Sequence, residues 1–260
     1  MLSAKVFLLV FTFFATVCFS VKEASVLSNT PEQLVYVFGS EGVDIIDPKS
    51  KEVLHKITDG ICTRSNNRFS KKNCSFGGVI SVKDELIFFS DSPGNRVHVI
   101  DVEKQEVKET IKTGGYPYDL YYLPWLEEVW VHAWTSSTFD VISTAGSLRK
   151  THTAIKAHVQ PGWTHGYMYA DQQIADGNLG YVTHMFNPGI HQLDLSSKTY
   201  KDFVDVSNYG CRGTFNFAYS PVNRHGFFDC IGSKTLLLIK LSEAIISQDV
   251  PTLLNTAGTL

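Results

Sequence analysis

Apolar and polar positions along most of this chain fall into short runs separated by Gly, Pro, Asn, Asp and Ser. The clearest example is Ile87–Asp101, IFFSDSPGNRVHVID. Two runs rich in Phe, Ile and Val flank a Ser-Asp-Ser-Pro-Gly-Asn segment, the pattern of a β-hairpin. The chain repeats it. LVYVFGSEGVDIID (Leu34–Asp47), VWVHAWTSSTFDVIS (Val129–Ser143), YVTHMFNPGIHQLD (Tyr181–Asp194) and FFDCIGSKTLLLIK (Phe227–Lys240) follow the same order. The apolar residues closing the second strands, Ile46, Ile100, Ile142, Leu193 and Ile239, are 54, 42, 51 and 46 residues apart. Strand-only repeats at that spacing predict propeller blades.

Each of the last four hairpins is preceded by a lead strand: Gly78–Val82, Tyr118–Leu123, Gly166–Ala170 and Phe215–Tyr219. A more charged strand follows at Glu52–Ile57, Val107–Lys112, Arg149–Ile155 and Tyr200–Val206, as suits an outer edge that must discourage foreign pairing. Runs such as Thr235–Leu241 are almost continuously apolar, which fits strands covered on both faces. The expected fold is therefore all-β, a propeller of about five four-stranded blades. The last repeat lacks an obvious outer strand, and Glu243–Gln248 reads as more helical. Val21–Leu27 is a candidate closing strand for the first. Asp47, Asp101 and Asp194 end their strands where a carboxylate can bond the backbone of the following turn.

Residues 1–20 read differently. Lys5 precedes the apolar run Val6–Phe14, and small residues lead to Ser20, as in an export leader cut after Ser20 or Cys18. No other stretch is apolar enough to span a bilayer. The remaining residues, 21–260, are expected to form one domain. They carry 22 cations against 26 anions, too mild an imbalance to suggest nucleic acid or an anionic membrane. Four cysteines are left, and they allow three pairings. The pairs close in sequence, Cys62–Cys74 and Cys211–Cys230, are expected, each worth about 2–3 kcal/mol through restriction of the unfolded chain. No thiolate spacing fits structural zinc. Asn73-Cys74-Ser75 is a glycan acceptor sequence, so the loop around Asn73 belongs on the surface.

Candidate chemistry is sparse. HExxH, GxSxG, a phosphate-binding loop and a dinucleotide fingerprint are all absent from the sequence, and no cofactor is implied. The ends of the first hairpin strands align as Val37, Ser90, His132, His184 and Asp229. His132, His184 and Asp229 could hold a divalent metal if they converged, whereas capping of each strand's own end is the structural alternative. His152, His158 and His165 read as loop residues. Tyr116 and Tyr118, beside Gly114-Gly115 and Pro117, are the aromatic candidates for an exposed contact surface, the remaining aromatics being needed for packing.

EEVWVHAW (Glu127–Trp134), YVTHMF (Tyr181–Phe186), HQLDLSSKTY (His191–Tyr200) and YGCRGTFNFAYSPVNRHGFFDC (Tyr209–Cys230) resemble the C-terminal propeller-like region of the follistatin-related secreted glycoproteins. The hairpin-plus-Asp pattern is similar to the wider class of YVTN-type propellers. The resemblance covers roughly Leu34–Leu241. The Kazal, EF-hand and immunoglobulin modules of those glycoproteins have no counterpart here, so calcium and growth-factor binding are not implied. What it implies is a secreted, disulfide-bonded propeller used for binding. The leader-like start, the repeats and the missing catalytic motifs lead to the expectation of a non-enzymatic protein that binds an extracellular protein or matrix component through 114–118, 158–165 and 187–191. Two alternatives remain: a metal-dependent propeller hydrolase or lactonase, and a scaffold in a mineralised organic matrix.

Overall fold

The computed structural model describes residues 5–12, 15–18, 33–63, 74–135, 138–153, 166–172, 174–220, 222, 225–233, 235–242 and 245–246. Val21–Leu27, Asn73, and the loop carrying His158 and His165 lie outside them. The described chain is strand joined by tight turns. Its helical segments are two short 3-10 turns, Ala175–Gly177 and Ser207–Tyr209.

The strands form five sheets. The first comprises β1 (Lys5–Thr12), β2 (Ala15–Cys18), β3 (Gln33–Gly39), β4 (Gly42–Ile46) and β5 (Val53–Ile57), in the order β2-β1-β3-β4-β5. The second is β6 (Phe76–Val82), β7 (Leu86–Asp91), β8 (Arg96–Asp101) and β9 (Glu106–Lys112). The third holds β10 (Pro117–Leu123), β11 (Glu128–Ala133), β12 (Thr138–Ser143) and β13 (Arg149–Thr153). The fourth is β14 (Met168–Ala170), β15 (Leu179–Thr183), β16 (Gly189–Asp194) and β17 (Thr199–Asp205), and the fifth β18 (Gly213–Ser220), β19 (His225–Ile231), β20 (Thr235–Ser242) and β21 (Ile245–Ile246). From the second onward the strands lie in sequence order. That is the predicted meander of lead strand, hairpin and outer strand.

Two details differ from expectation. Ile245–Ile246, inside the segment read as helical, pairs antiparallel with Leu241 and Ser242 and supplies the missing outer strand. Two consecutive β-branched residues favour that pairing over a helix. The place beside β3 is taken by Lys5–Thr12, in parallel register. These residues, read as part of a leader, are apolar and β-branched enough to add to an open strand edge.

The chain divides into two compact units. One is Met1–Tyr122 with Val129–Ala133 and Ile142–Lys150; the other is Leu123–Glu128, Trp134–Val141 and Thr151–Leu260. Within the first, Tyr36, Phe38, Val43 and Ile45 pack with Ile87, Phe89 and Ile100. The opposite face of the second sheet packs Phe88, Val97 and Val99 against Val129, Val131 and Ile142. Both faces of β7 and β8 are thus covered, which is why their sequence is apolar at consecutive positions. Burial of each such side chain contributes about 1.5–3 kcal/mol. Tyr36 is fully buried and its hydroxyl donates to the Val102 carbonyl at 3.4 Å. Burial, reinforced by Asp101, pushes its phenol up to about 12. In the second unit Tyr181 and Ile190 pack with Phe228 and Leu237.

The disulfides Cys62–Cys74 and Cys211–Cys230 are both formed, as their proximity in sequence predicted. The strand-closing aspartates also act as expected. Asp47 Oδ1 accepts from the Lys49 N–H, Asp101 Oδ1 from Lys104, and Asp194 Oδ1 from Ser196 and Ser197.

Candidate functional site

Turn 92–95 of the second sheet gathers polar groups from well-separated parts of the chain. At its base the Asp91 carboxylate is 1% exposed. Its Oδ2 accepts from Thr63 Oγ1 (2.6 Å) and Arg96 Nε (2.8 Å), and Oδ1 from the Gly94 N–H (3.2 Å). Arg96 Nη2 also donates to Thr63 Oγ1 at 3.0 Å, closing a triangle. His98 is fully buried; its Nδ1 lies 2.9 Å from Thr110 Oγ1 and its Nε2 3.9 Å from Asp91 Oδ2. Burial alone would raise the Asp91 pKa. The contacts of His98, Thr63 and Arg96 outweigh it and hold the carboxyl below its ordinary range. The triangle leaves no room for a side chain at residue 94: a Cβ on Gly94 would overlap Asp91, Thr63 and Arg96. Gly94→Ala is therefore expected to cost about 1–3 kcal/mol in urea unfolding through overpacking.

The same turn fixes the loop that follows β9. Ser92 Oγ donates to the Pro117 carbonyl (2.6 Å), and Asn95 Oδ1 accepts from the Tyr116 N–H (2.8 Å). Tyr116 is held at φ 56°, a left-handed conformation that costs a bulky residue about 1–2 kcal/mol. The ring is thereby set nearly parallel to that of Tyr118, 6° between planes and 6.5 Å between centroids. Burial, then Asp119, then Tyr116 raise the pKa of the Tyr118 phenol. The two sequence-predicted tyrosines thus form one ordered pair, both half-buried.

The aligned strand ends share a structural task. Ile100 pairs with Ile87, and three residues further lies Ser90. Its Oγ accepts from the Gly77 N–H in the lead-strand bulge (3.0 Å) and donates forward to the Tyr118 carbonyl (3.4 Å). Counted the same way from Leu193 and Gly180, the fourth-sheet equivalent is Thr183. Its hydroxyl accepts from the Tyr167 N–H (2.9 Å) and donates to the Phe215 carbonyl. In the fifth sheet Ile239 pairs with Gly226, and the equivalent is Asp229. Asp229 Oδ1 accepts from the backbone N–H of Phe215 (3.0 Å) and Asn216 (2.7 Å), and Oδ2 from Asn216 Nδ2 (2.7 Å).

Two alignments shift by one residue. Thr183, not His184, stands in the Ser90 place, and His184 follows it at the place of Asp91. In the first sheet, where Ile46 pairs with Val35, the place belongs to Phe38 rather than Val37. His132 lies 3.8 Å from Asp119 Oδ2 across its own sheet, with side chains 4% and 15% exposed. His184 Nδ1 accepts from the Phe186 N–H at 3.2 Å, and its ring meets that of His191 at 6.1 Å. Among the described residues no three His, Cys, Asp or Glu side chains come together as a metal would require. Each has a local contact instead: His132 with Asp119, His184 with the Phe186 N–H, and Asp229 with the start of β18.

Asp91, Arg96, Thr183 and Asn216 were not singled out by sequence reasoning. Asp91 and Arg96 straddle the turn of the best hairpin, a spacing that places an acid and a base opposite each other as its last pair. Thr63 is separated from Asp91 by 28 residues and carries no local signal.

No protein-family model matches the chain. Solved structures do resemble it. A putative 6-phosphogluconolactonase from Bacteroides uniformis superposes with a TM-score of 0.60 at 13% identity, over 84% of this chain and 66% of that one. Hydrazine synthase from Kuenenia stuttgartiensis gives 0.55 at 13% identity, over 78% and 57%. The Cps50 (Swd1) β-propeller domain of Myceliophteria thermophila gives 0.52 at 12% identity, over 82% and 65%. The fold is that of a β-propeller. The chain spans less than two thirds of the length of each of these structures, and at such identity the likeness carries the architecture alone.

Proposed function

We propose that this chain is an exported, non-enzymatic propeller that binds an extracellular protein or matrix component through the loops entering its lead strands. The Tyr116–Tyr118 pair carries the reading. Holding a tyrosine in a left-handed conformation opposes stability, and such strain concentrates at functional positions. The residues that hold it, Asn95 and Ser92, are themselves pinned by the Asp91 triangle. Two disulfides suit an oxidising compartment, and among the described residues no helix is long and apolar enough to cross a membrane. The sequence resemblance to the propeller region of follistatin-related secreted glycoproteins supports the same reading, as does the leader-like start. A scaffold within a mineralised matrix is one setting for such binding.

The test is a pulldown of matrix components with purified protein and with Tyr116→Gly. Glycine accepts φ 56° without strain, so the variant should melt within a few degrees of the parent, while capture falls at least about tenfold. Equal capture by parent and variant would remove the tyrosine pair from the account. No capture by either defeats the binding reading. Elemental analysis of the native protein addresses the lactonase alternative: a stoichiometric metal lost in His132→Ala would favour it.

A further inference from the structure

Strands β1 and β2 both lie inside residues 1–20, the segment that reads as a leader cut after Cys18 or Ser20. β1 pairs with β3 in parallel register, from Lys5 against Gln33 to Val10 against Phe38, and it also runs beside β6. β2 is the outer neighbour of β1. Cleavage at either point removes both strands whole. The described strands left in the first sheet are then β3, β4 and β5, whereas each other sheet has four. What goes is the strand beside the β3–β4 hairpin, the lead place that β6, β10, β14 and β18 fill in the other sheets.

The pattern of β3 defines what can take that place. Leu34, Tyr36 and Phe38 are buried and alternate with half-buried Gln33, Val35, Val37 and Gly39. Successive strand residues point to opposite faces, so an added strand needs apolar residues at every second position, in register with the buried three. Val21–Leu27, VKEASVL, does not meet this requirement: one alternate set contains Glu23 and Ser25, the other Lys22. A charge would fall on the buried side in either phase. Two copies of the β3 edge related by a twofold axis would pair antiparallel, whereas β1 runs parallel.

We propose that, once residues 1–20 are removed, the edge of β3 binds an extended segment of an extracellular partner protein, added as a parallel strand in the place of β1. Main-chain hydrogen bonds to β3 hold the segment, and its alternate apolar side chains, in register with Leu34, Tyr36 and Phe38, select it. This rests on the export reading above and adds a contact to the Tyr116–Tyr118 pair.

The experiment uses the protein as secreted from cultured cells, with its first residue read by mass spectrometry. The probe is acetylated, amidated Lys-Lys-Val-Thr-Leu-Thr-Val-Thr-Lys-Lys, whose apolar residues repeat the spacing of Val6, Leu8 and Val10. Its control carries proline for the central leucine, which removes a ladder donor. Hydrogen exchange of the Gln33–Gly39 amides, read residue by residue by NMR, is the measurement. The expected chain begins at Phe19 or Val21, and every second amide of β3 exchanges fast. Saturating probe slows those amides at least about tenfold, and the proline peptide does not. Slow exchange of all β3 amides before probe is added overturns the proposal. The place is then filled from within the chain or by a second copy, which native mass distinguishes. A secreted chain that keeps residues 1–20 overturns it equally, because β1 stays, and so does fast exchange that the probe leaves unchanged. Matrix capture that persists under any of these outcomes leaves the binding reading standing without this site. A chain that is never secreted ends the export reading and this proposal together.

Discussion

Asp91→Asn is expected to destabilise the protein by about 2–4 kcal/mol at neutral pH, measured by urea unfolding, although the substitution is nearly isosteric. Asparagine can keep one oxygen on Arg96 and Thr63, but it brings two N–H donors into a site whose neighbours are already donating. It also leaves the Arg96 guanidinium, 27% exposed, without its counter-charge. The sign of the pH dependence follows from the lowered native pKa of Asp91. A carboxyl that is harder to protonate in the folded state contributes stability that is fully present above its unfolded value. The gap between parent and variant should thus be constant from pH 7 to about pH 5, begin to close near pH 4, and close further as pH falls through the lower native value. A gap independent of pH down to pH 3 would show that the carboxylate's charge contributes nothing and that only shape matters. A loss below 1 kcal/mol would mean that Arg96 is solvated well enough to stand alone.

The loop that carries Tyr116 gives this prediction a functional side. Turn 92–95 is the link between the buried acid and the tyrosine pair, through Ser92 and Asn95. Loosening the base of the turn frees a tyrosine held against its own conformational preference. Binding that depends on the pair should therefore fall in Asp91→Asn even at temperatures where the variant remains folded, whereas Tyr116→Gly should lose binding with little change in stability. The two substitutions separate the frame from the contact.

What the sequence made legible was local. A hairpin whose strands alternate or run apolar, an Asp that bonds its own turn, and cysteines 12 and 19 residues apart all report interactions a short way along the chain. Even so, the count failed at the site. Thr183 and His184 are adjacent, and so are Val37 and Phe38; which of each pair reaches the lead strand depends on turn length and on bulges. The first hairpin turns at Ser40 and Glu41, with Gly39 facing Gly42, while the second uses 92–95. One extra residue in the lead strand, as between Phe76 and Val79, moves a side chain to the other face. The pairings that build the site are also long-range: Asp91 with Thr63, Ser90 with Tyr118, Thr183 with Phe215. Period and composition do not encode these partners; the stacking of one sheet on the next does.

Removing the Cys62–Cys74 bridge tests how far that long-range assembly is cooperative. By loop entropy alone, Cys62→Ser with Cys74→Ser should cost about 2–3 kcal/mol, because the bridge closes a short loop in the unfolded chain. The structure adds a second contribution. Thr63, next to Cys62, donates to Asp91 and accepts from Arg96, and Ser75, next to Cys74, offers its carbonyl to the Ser92 N–H at 3.3 Å. The bridge therefore holds two residues of the Asp91 assembly in place from opposite sides. In the Asp91→Asn background much of what those residues stabilise is already gone. The same pair of serine substitutions should then cost about 1 kcal/mol less than in the parent, a coupling typical of residues in one hydrogen-bonded network. Four proteins suffice: parent, Asp91→Asn, the double serine variant and their combination, each unfolded in urea at pH 7. Losses that add to within about 0.3 kcal/mol would show that the bridge acts on the unfolded chain alone and that Thr63 finds its place without it. A coupling near 1 kcal/mol would make the disulfide part of the frame that orders turn 92–95 and, through it, Tyr116.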